Sequence, residues 1–151
     1  MNNEYMNLAL KEAKKAYKKL EVPIGAVIVK DGKIIARAHN LREKKQSSLA
    51  HAEILAIKKA CEKLESWRLD GAELYVTLEP CAMCAGAITQ ARIKKVYFGA
   101  KDEKNGCVGS IANIFDDIKT THKVEYEYIE NKECSDILSN FFKELRTIKK
   151  M

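Results

Sequence analysis

Apolar residues recur at helical spacing near the start of the chain. The first of these stripes consists of Met6, Ala9, Ala13, Ala16 and Leu20. Spacings of three and four place these side chains on one face of a helix. A Val-Pro pair at 22–23 follows the last of them and predicts the end of that helix.

Shorter apolar runs further along the chain predict five strands. The first two, at 25–29 and 33–38, are separated by Asp31 and Gly32. Both turn residues tolerate a positive φ, so this pair predicts a tight hairpin. The remaining strands are predicted at 74–78, 95–99 and 123–129.

The helices between the strands decide the class of fold. Residues 51–64 and the segment after Pro80 read as helices, and a short helix is predicted near 111–115. About twenty residues between the last two strands permit a parallel crossover, whereas a hairpin needs far fewer. The last helix is expected after Asn131, with an apolar stripe of Cys134, Leu138, Phe141, Leu145 and Ile148. The sequence therefore predicts one α/β domain over 1–151, with a central five-stranded sheet.

The composition indicates which compartment and which kinds of partner to expect for this domain. The chain has 151 residues, of which 46% are hydrophobic and 32% charged, as is usual for a soluble protein. No run is long enough to cross a membrane, and no apolar signal region opens the chain, so we expect no membrane partner. Five cysteines, an odd number, favour free thiols in a reducing cytoplasm. A formal charge of +6 is compatible with RNA but does not prove it.

Two short segments thirty residues apart carry the chemistry. The first contains His51 and Glu53, and the second contains Pro80, Cys81 and Cys84. One imidazole and two thiols are enough to hold zinc with its fourth position open, which is the ligand number of a catalytic zinc site. We therefore predict one zinc ion per chain, bound by the histidine and the two cysteines.

Glu53 is the predicted proton carrier. It stands beside the histidine ligand and need not bind the metal. The spacing H-x-E followed by P-C-x-x-C is that of nucleobase deaminases, in which hydroxide replaces an amino group on an aromatic ring. Zinc brings the pKa of water down to about 7, and one carboxylate can take up and then deliver the proton.

Each motif also has a simpler interpretation. A lone Cys-x-x-Cys occurs in redox pairs and in structural zinc sites, and His-Ala-Glu is common at helix starts. A redox reading leaves His51 and Glu53 unexplained, whereas the combined pattern accounts for all four side chains.

Beyond the metal motif, the chain resembles the bacterial tRNA-specific adenosine deaminases almost from end to end. The matching stretches include 22–27, 51–54, 75–87 and 96–102, together with Phe141 and Phe142. The resemblance implies a three-layer α/β/α cytidine-deaminase-like fold with a mixed sheet in which strands 4 and 5 are parallel. It also implies a homodimer that converts the wobble adenosine of an arginine tRNA anticodon stem-loop to inosine.

The resemblance further suggests which residues contact the RNA. Asn40 matches an asparagine that contacts the target nucleotide, and the 101–110 segment and the last helix are expected to border the RNA. The predicted substrate-binding residues are Asn40, Ala52, Asp102, Lys104 and Phe142. Phe142 offers a surface for an unpaired base, and Asp102 offers an acceptor for a sugar hydroxyl.

Two other functions remain open at this stage. A deaminase of a free base or nucleotide, such as guanine or cytosine, would use the same zinc chemistry. A noncatalytic RNA-binding subunit could retain zinc for structure, but it gives no reason for a carboxylate at Glu53. The 101–110 segment and the basic, aromatic last helix favour RNA over a free base.

Overall fold

The computed structural model of the protein describes residues 3–149, so residues 1, 2, 150 and 151 of the predicted domain lie outside the described part. The longest connections between helices and strands are 40–51 and 99–113. Their bounds are α1 Asn3–Lys18, β1 Gly25–Lys30, β2 Lys33–His39, α2 Ala52–Leu64, β3 Glu73–Val76, α3 Ala82–Gln90, β4 Lys95–Phe98, α4 Ile114–Asp117, β5 Glu125–Tyr128 and α5 Lys132–Lys149.

The strands form one mixed sheet in the order β2-β1-β3-β4-β5. β1 is antiparallel to both of its neighbours, while β3, β4 and β5 are parallel to one another. The predicted hairpin is confirmed, because Asp31 and Gly32 have φ angles of 52° and 73°. The predicted mixed sheet with strands 4 and 5 parallel is also confirmed.

Alternating side chains of β1 show how the sheet joins two apolar cores. Ala26 and Ile28 point into a core shared with α2, α3 and α4. Val27 and Val29 point into a second core, which contains residues of α1 and the first turn of α5. β1 is buried on both faces because helices cover both. This arrangement is the predicted three-layer α/β/α fold.

The first helix ends earlier than its apolar stripe suggests. Leu20 adopts a left-handed φ of 60°, and the amides of Leu20 and Glu21 donate to the carbonyls of Tyr17 and Ala16. These two bonds are those of a Schellman cap, which closes a helix C-terminus. Leu20 is therefore 56% exposed, and its predicted place in the stripe is wrong.

Two further predictions about apolar positions are wrong at the other end of the chain. Ile148 is 49% exposed because the last turns of α5 extend beyond the core that buries Phe141. The short helix begins at Ile114 rather than near Ile111, which is exposed. Helical spacing identifies a face but not where its neighbours end. Within residues 3–149, no helix is long and apolar enough to span a membrane.

Gly25 should be indispensable for the packing of α1 against β1. A methyl group at Gly25 would overlap the Ala9 carbonyl oxygen and stand 2.6 Å from the Ala13 nitrogen. Because both atoms are helix backbone, we expect Gly25→Ala to destabilise the protein by about 1–3 kcal/mol or more. Urea denaturation measures the loss, and an unchanged midpoint would contradict this close approach.

Gly86 in α3 is the matched control for that substitution. A methyl group added at Gly86 meets nothing within 4 Å. Gly86→Ala should therefore raise the free energy of unfolding by up to about 1 kcal/mol, the difference in helix propensity.

Candidate metal centre and active-site cleft

The metal-binding side chains stand at the starts of two helices. His51 is the N-cap of α2 and Cys81 is the N-cap of α3, both with extended backbone. Neither side chain makes a capping hydrogen bond, although this position usually carries a capping oxygen. Both side chains are therefore available to a ligand, and Cys84 joins them from the first turn of α3.

The distances between the three side chains fit a zinc ion. His51 Nδ1 lies 3.7 Å from Cys81 Sγ and 3.6 Å from Cys84 Sγ. All three ligand atoms lie within 4.8 Å of one another. Tetrahedral zinc with ordinary Zn–N and Zn–S bonds holds nitrogen and sulfur about 3.6 Å apart. No other group of three such side chains is arranged for a metal within residues 3–149.

The two thiols of the cluster differ in their acidity. A hydrogen bond from Cys84 lowers the pKa of Cys81 to about 4, against the effect of burial and with help from His51. The same bond, together with burial, raises the pKa of Cys84. Cys81 is therefore the thiol that ionises first. Thiolate is the form that binds zinc, so zinc binding would also displace the proton of Cys84.

Glu53 lies beside this cluster without being part of it. The side chain is buried in the first turn of α2, close to Cys84. Burial raises the pKa of Glu53 to about 7. A protonatable carboxyl group thus lies next to the cluster and outside the ligand set, and its role as proton carrier stays a prediction.

These groups form part of the lining of an open cleft of about 1100 Å³. His51, Glu53 and Cys81 lie where the two helices begin. The 41–50 loop contributes Arg42, and the 101–110 loop contributes residues 101–105. Another wall is the outer part of α5, which contributes Leu138, Phe142, Leu145, Arg146 and Lys149.

Most of the predicted substrate-binding residues are brought together in this cleft. Asn40, Asp102, Lys104 and Phe142 all belong to its lining. Ala52 does not, because it is the fully buried first residue of α2. Any contact from Ala52 must therefore come from its main chain, and its role in binding stays a prediction.

Asn40 and Asp102 both have structural partners as well. Asn40 Nδ2 donates to the Val22 carbonyl, and Asn40 Oδ1 accepts from the Arg42 amide. Asp102 Oδ1 accepts from the amides at 104 and 105 and so closes the turn of its loop. These bonds use one hydrogen of the Asn40 amide and one oxygen of Asp102, which leaves each side chain a further polar position for a ligand.

Phe142 presents its ring to the cleft. The ring is 42% exposed and meets the buried Phe141 ring edge to face at 5.4 Å between centroids. Phe141 packs in turn against Tyr17 of α1. Phe141 therefore belongs to the core, while Phe142 offers a held aromatic surface.

Two buried carboxylates beside the cleft were missed in the sequence. Glu21 is 1% exposed and Glu79 is 3% exposed, and both accept hydrogen bonds from loop amides. Glu79 stands between an apolar strand and Pro80, where an acidic residue is unexpected. The position of Glu79 was the one feature of the sequence that could have indicated its role.

The fold and the cluster together define a class of protein. A mixed sheet of this order, covered on both faces by helices, carries a His-Cys-Cys group and an adjacent glutamate where α2 and α3 begin. These are the features of cytidine-deaminase-like enzymes. The family model described as MafB19-like deaminase matches residues 1–146.

Similar proteins identify the family more closely. A tRNA-specific adenosine deaminase of Bacillus subtilis (strain 168) is 56% identical over 147 residues, which cover 97% of this chain and 91% of that protein. A structure from a study of A-to-I editing by tRNA deaminases at the wobble position has a TM-score of 0.87 and 46% identity, and the match covers 91% of this chain and 100% of the other. The chain belongs to the family of tRNA-specific adenosine deaminases.

A free-base deaminase is also similar, though less so. The structure of guanine deaminase from Bacillus subtilis has a TM-score of 0.65 and 32% identity, and the match covers 95% of each chain. The fold and metal cluster alone therefore do not distinguish an RNA base from a free base.

Metal content tests the assignment of the three ligands. We expect protein purified without chelators to contain one zinc per chain, because three ligand atoms are already gathered at zinc-binding distances. Cys84→Ala should lose most of this zinc in elemental analysis. Cys61→Ala removes a partly buried thiol outside the cluster and should keep it. Equal zinc in both variants would contradict the ligand set.

Proposed function

We propose that the protein is a hydrolytic, zinc-dependent deaminase that converts adenosine to inosine at the wobble position of a tRNA anticodon loop. The observation that carries this proposal is the His51, Cys81 and Cys84 cluster with buried Glu53 beside it, in a cleft with basic and aromatic walls. The 56% identity to a tRNA-specific adenosine deaminase supports the same substrate. Arginine tRNA is the species that this family resemblance implies.

A zinc ion held by His51, Cys81 and Cys84 would supply hydroxide at neutral pH by lowering the pKa of water to about 7. The chain itself must then move protons. We propose that Glu53 carries two protons in turn: one from the attacking water to the adenine ring nitrogen, and a second from the new hydroxyl group on the ring carbon to the departing amino group. A proton carrier must lie close to the cluster and be shielded from bulk water. Glu53 meets both needs, because it lies beside the cluster and is buried in the first turn of α2.

The size of the cleft and the exposed basic side chains in its lining favour RNA over a free base. Pockets for whole drug-sized ligands have volumes of about 300–1000 Å³, so a single base would leave much of this cleft empty. Exposed basic side chains at Arg42, Lys101 and Lys104 can meet phosphates, and the Phe142 ring can stack on an unpaired base. An anticodon loop offers both features on one molecule.

Further parts of the proposal rest on the family resemblance. We propose that residues 1–151 form a single domain, that two copies form a homodimer and that the protein acts in the cytoplasm. None of the five cysteines forms a disulfide, which is compatible with a reducing compartment. Sedimentation equilibrium tests the dimer directly, and a monomer at micromolar concentration would contradict it.

A comparison of substrates tests the reaction. The purified zinc protein should form inosine in an arginine tRNA anticodon stem-loop and scarcely act on free adenosine, because flanking nucleotides supply binding energy that a nucleoside lacks. Mass spectrometry of digested RNA and chromatography of free bases measure the two activities. Efficient deamination of guanine or cytosine with unmodified RNA would instead establish the free-base alternative that the guanine deaminase likeness allows.

Replacement of Glu53 tests its role as proton carrier. Glu53→Gln keeps the size of the side chain and should keep the zinc, because Glu53 is outside the ligand set. Turnover should fall by about a hundred- to ten-thousand-fold, the usual contribution of general acid–base catalysis. The single-turnover rate on the stem-loop and the zinc content should be measured together. A near-normal rate would show that another group carries the protons.

A further inference from the structure

We propose that Glu79 is a positioning residue for RNA binding, because its buried carboxylate holds the 101–110 loop in the shape that presents Lys101, Asp102 and Lys104 to the cleft. The proposal rests on the function proposed above. It assigns a role to an acidic side chain that is not itself suited to contact a polyanion.

The hydrogen bonds of Glu79 converge on this one loop. Glu79 Oε1 accepts from the Asp102 amide at 3.1 Å and from the Ser110 hydroxyl. Glu79 Oε2 accepts from the Val108 amide at 2.9 Å and from the Ser110 amide at 3.1 Å. One carboxylate thus satisfies three backbone amides and one hydroxyl from both ends of the loop.

Packing holds the carboxylate in place as tightly as the hydrogen bonds do. Gly106, in the middle of the loop, lies so close that an added methyl group would stand 2.5 Å from Glu79 Oε1 and from Oε2. The Cys107 amide also donates to the Pro80 carbonyl, so the loop is bound to the residue after Glu79. The loop is therefore wrapped around one acidic side chain that directly precedes the metal-binding segment.

The nature of these partners explains the use of a carboxylate. Within residues 3–149, the Glu79 carboxylate forms no ion pair, and its hydrogen-bond partners are backbone amides and the Ser110 hydroxyl. Hydrogen bonds to a carboxylate are stronger than those between neutral groups. The lysines at 101 and 104 are not used to neutralise Glu79. Both line the cleft, where a phosphate can reach them, although Lys101 Nζ also lies 4.9 Å from the centroid of the Tyr128 ring.

Glu79→Gln is the main test, because glutamine keeps the shape but replaces one accepting oxygen by a donating NH₂ group. At least one amide bond must be lost: the bond from Asp102 if the NH₂ group replaces Oε1, where the Ser110 hydroxyl can accept instead, or the bonds from Val108 and Ser110 if it replaces Oε2. We expect the amides at 102, 108 and 110 to exchange with deuterium at least about tenfold faster, as measured by NMR. The KM for the anticodon stem-loop should rise about tenfold, while kcat at saturating RNA stays within about threefold.

Two matched variants separate this role from general destabilisation. Glu127→Gln removes a half-exposed carboxylate on β5 that pairs with Lys95, and it should change neither the loop exchange nor the KM. Glu21→Gln should accelerate exchange only at the amides of Glu43 and Lys44. These amides lie in the opposite loop and donate to the Glu21 carboxylate. Zinc content and melting temperature are recorded for each variant.

Gly106→Ala approaches the same contact from the loop and leaves Glu79 unchanged. It should raise exchange at the amides of 102, 108 and 110 and raise the KM as Glu79→Gln does, because the added methyl group displaces the carboxylate. This variant keeps the proposal testable if Glu79→Gln folds poorly. Ser110→Ala removes one of the four bonds and should give a smaller rise in KM.

The possible results are distinguishable. Unchanged exchange at 102, 108 and 110 in Glu79→Gln and Gly106→Ala would overturn the anchoring role. Faster exchange with a reduced kcat and an unchanged KM would overturn the assignment to RNA binding. Failure of the proposed function would be recognised earlier, because the wild-type zinc protein would leave the stem-loop unmodified before any variant is compared.

Discussion

The packing of α2 and α3 on one face of the sheet fixes the relative position of all the metal-binding atoms. Each helix gives its N-cap to a metal-binding side chain, so the site exists only where both helices begin together. Small residues make this approach possible. Ala52, Ala56 and Ala60 are completely buried along one face of α2. The stability of the core and the geometry of the cluster are therefore set by the same contacts.

The loops around the cleft are held by hydrogen bonds, whereas the helices below them are held by apolar packing. The loops contain few apolar residues, and buried carboxylates take up their backbone amides. Glu21 holds the loop that carries Arg42, and Glu79 holds the loop that carries Lys101. A lysine or arginine inside the protein could have balanced either carboxylate, but backbone amides do so without consuming a cation. Basic side chains thus remain at the surface, where a polyanion can reach them.

Features encoded by neighbouring residues could be predicted from the sequence. The Asp31–Gly32 turn, the five strands and the metal-binding residues all depend on local patterns, and the structure has the first two and gathers the three ligands. The exposure of Leu20 and Ile148 could not be predicted, because it depends on where distant elements stop packing. Glu21 and Glu79 were missed because their partners are amides 22 to 31 residues away, which no short pattern links to them.

The two halves of α5 have different roles: the first turn attaches the helix to the sheet, and the outer turns line the cleft. Its first turn is fixed at Cys134, which packs so closely against Gly99 that an added methyl group would stand 2.6 Å from its sulfur. The outer turns, from Phe142 onward, are mostly exposed and belong to no metal-binding segment. A redesign of the binding preference can therefore be confined to the distal half of one helix. Evolution has the same freedom, since new sequences there leave the chemistry of the two helix starts untouched.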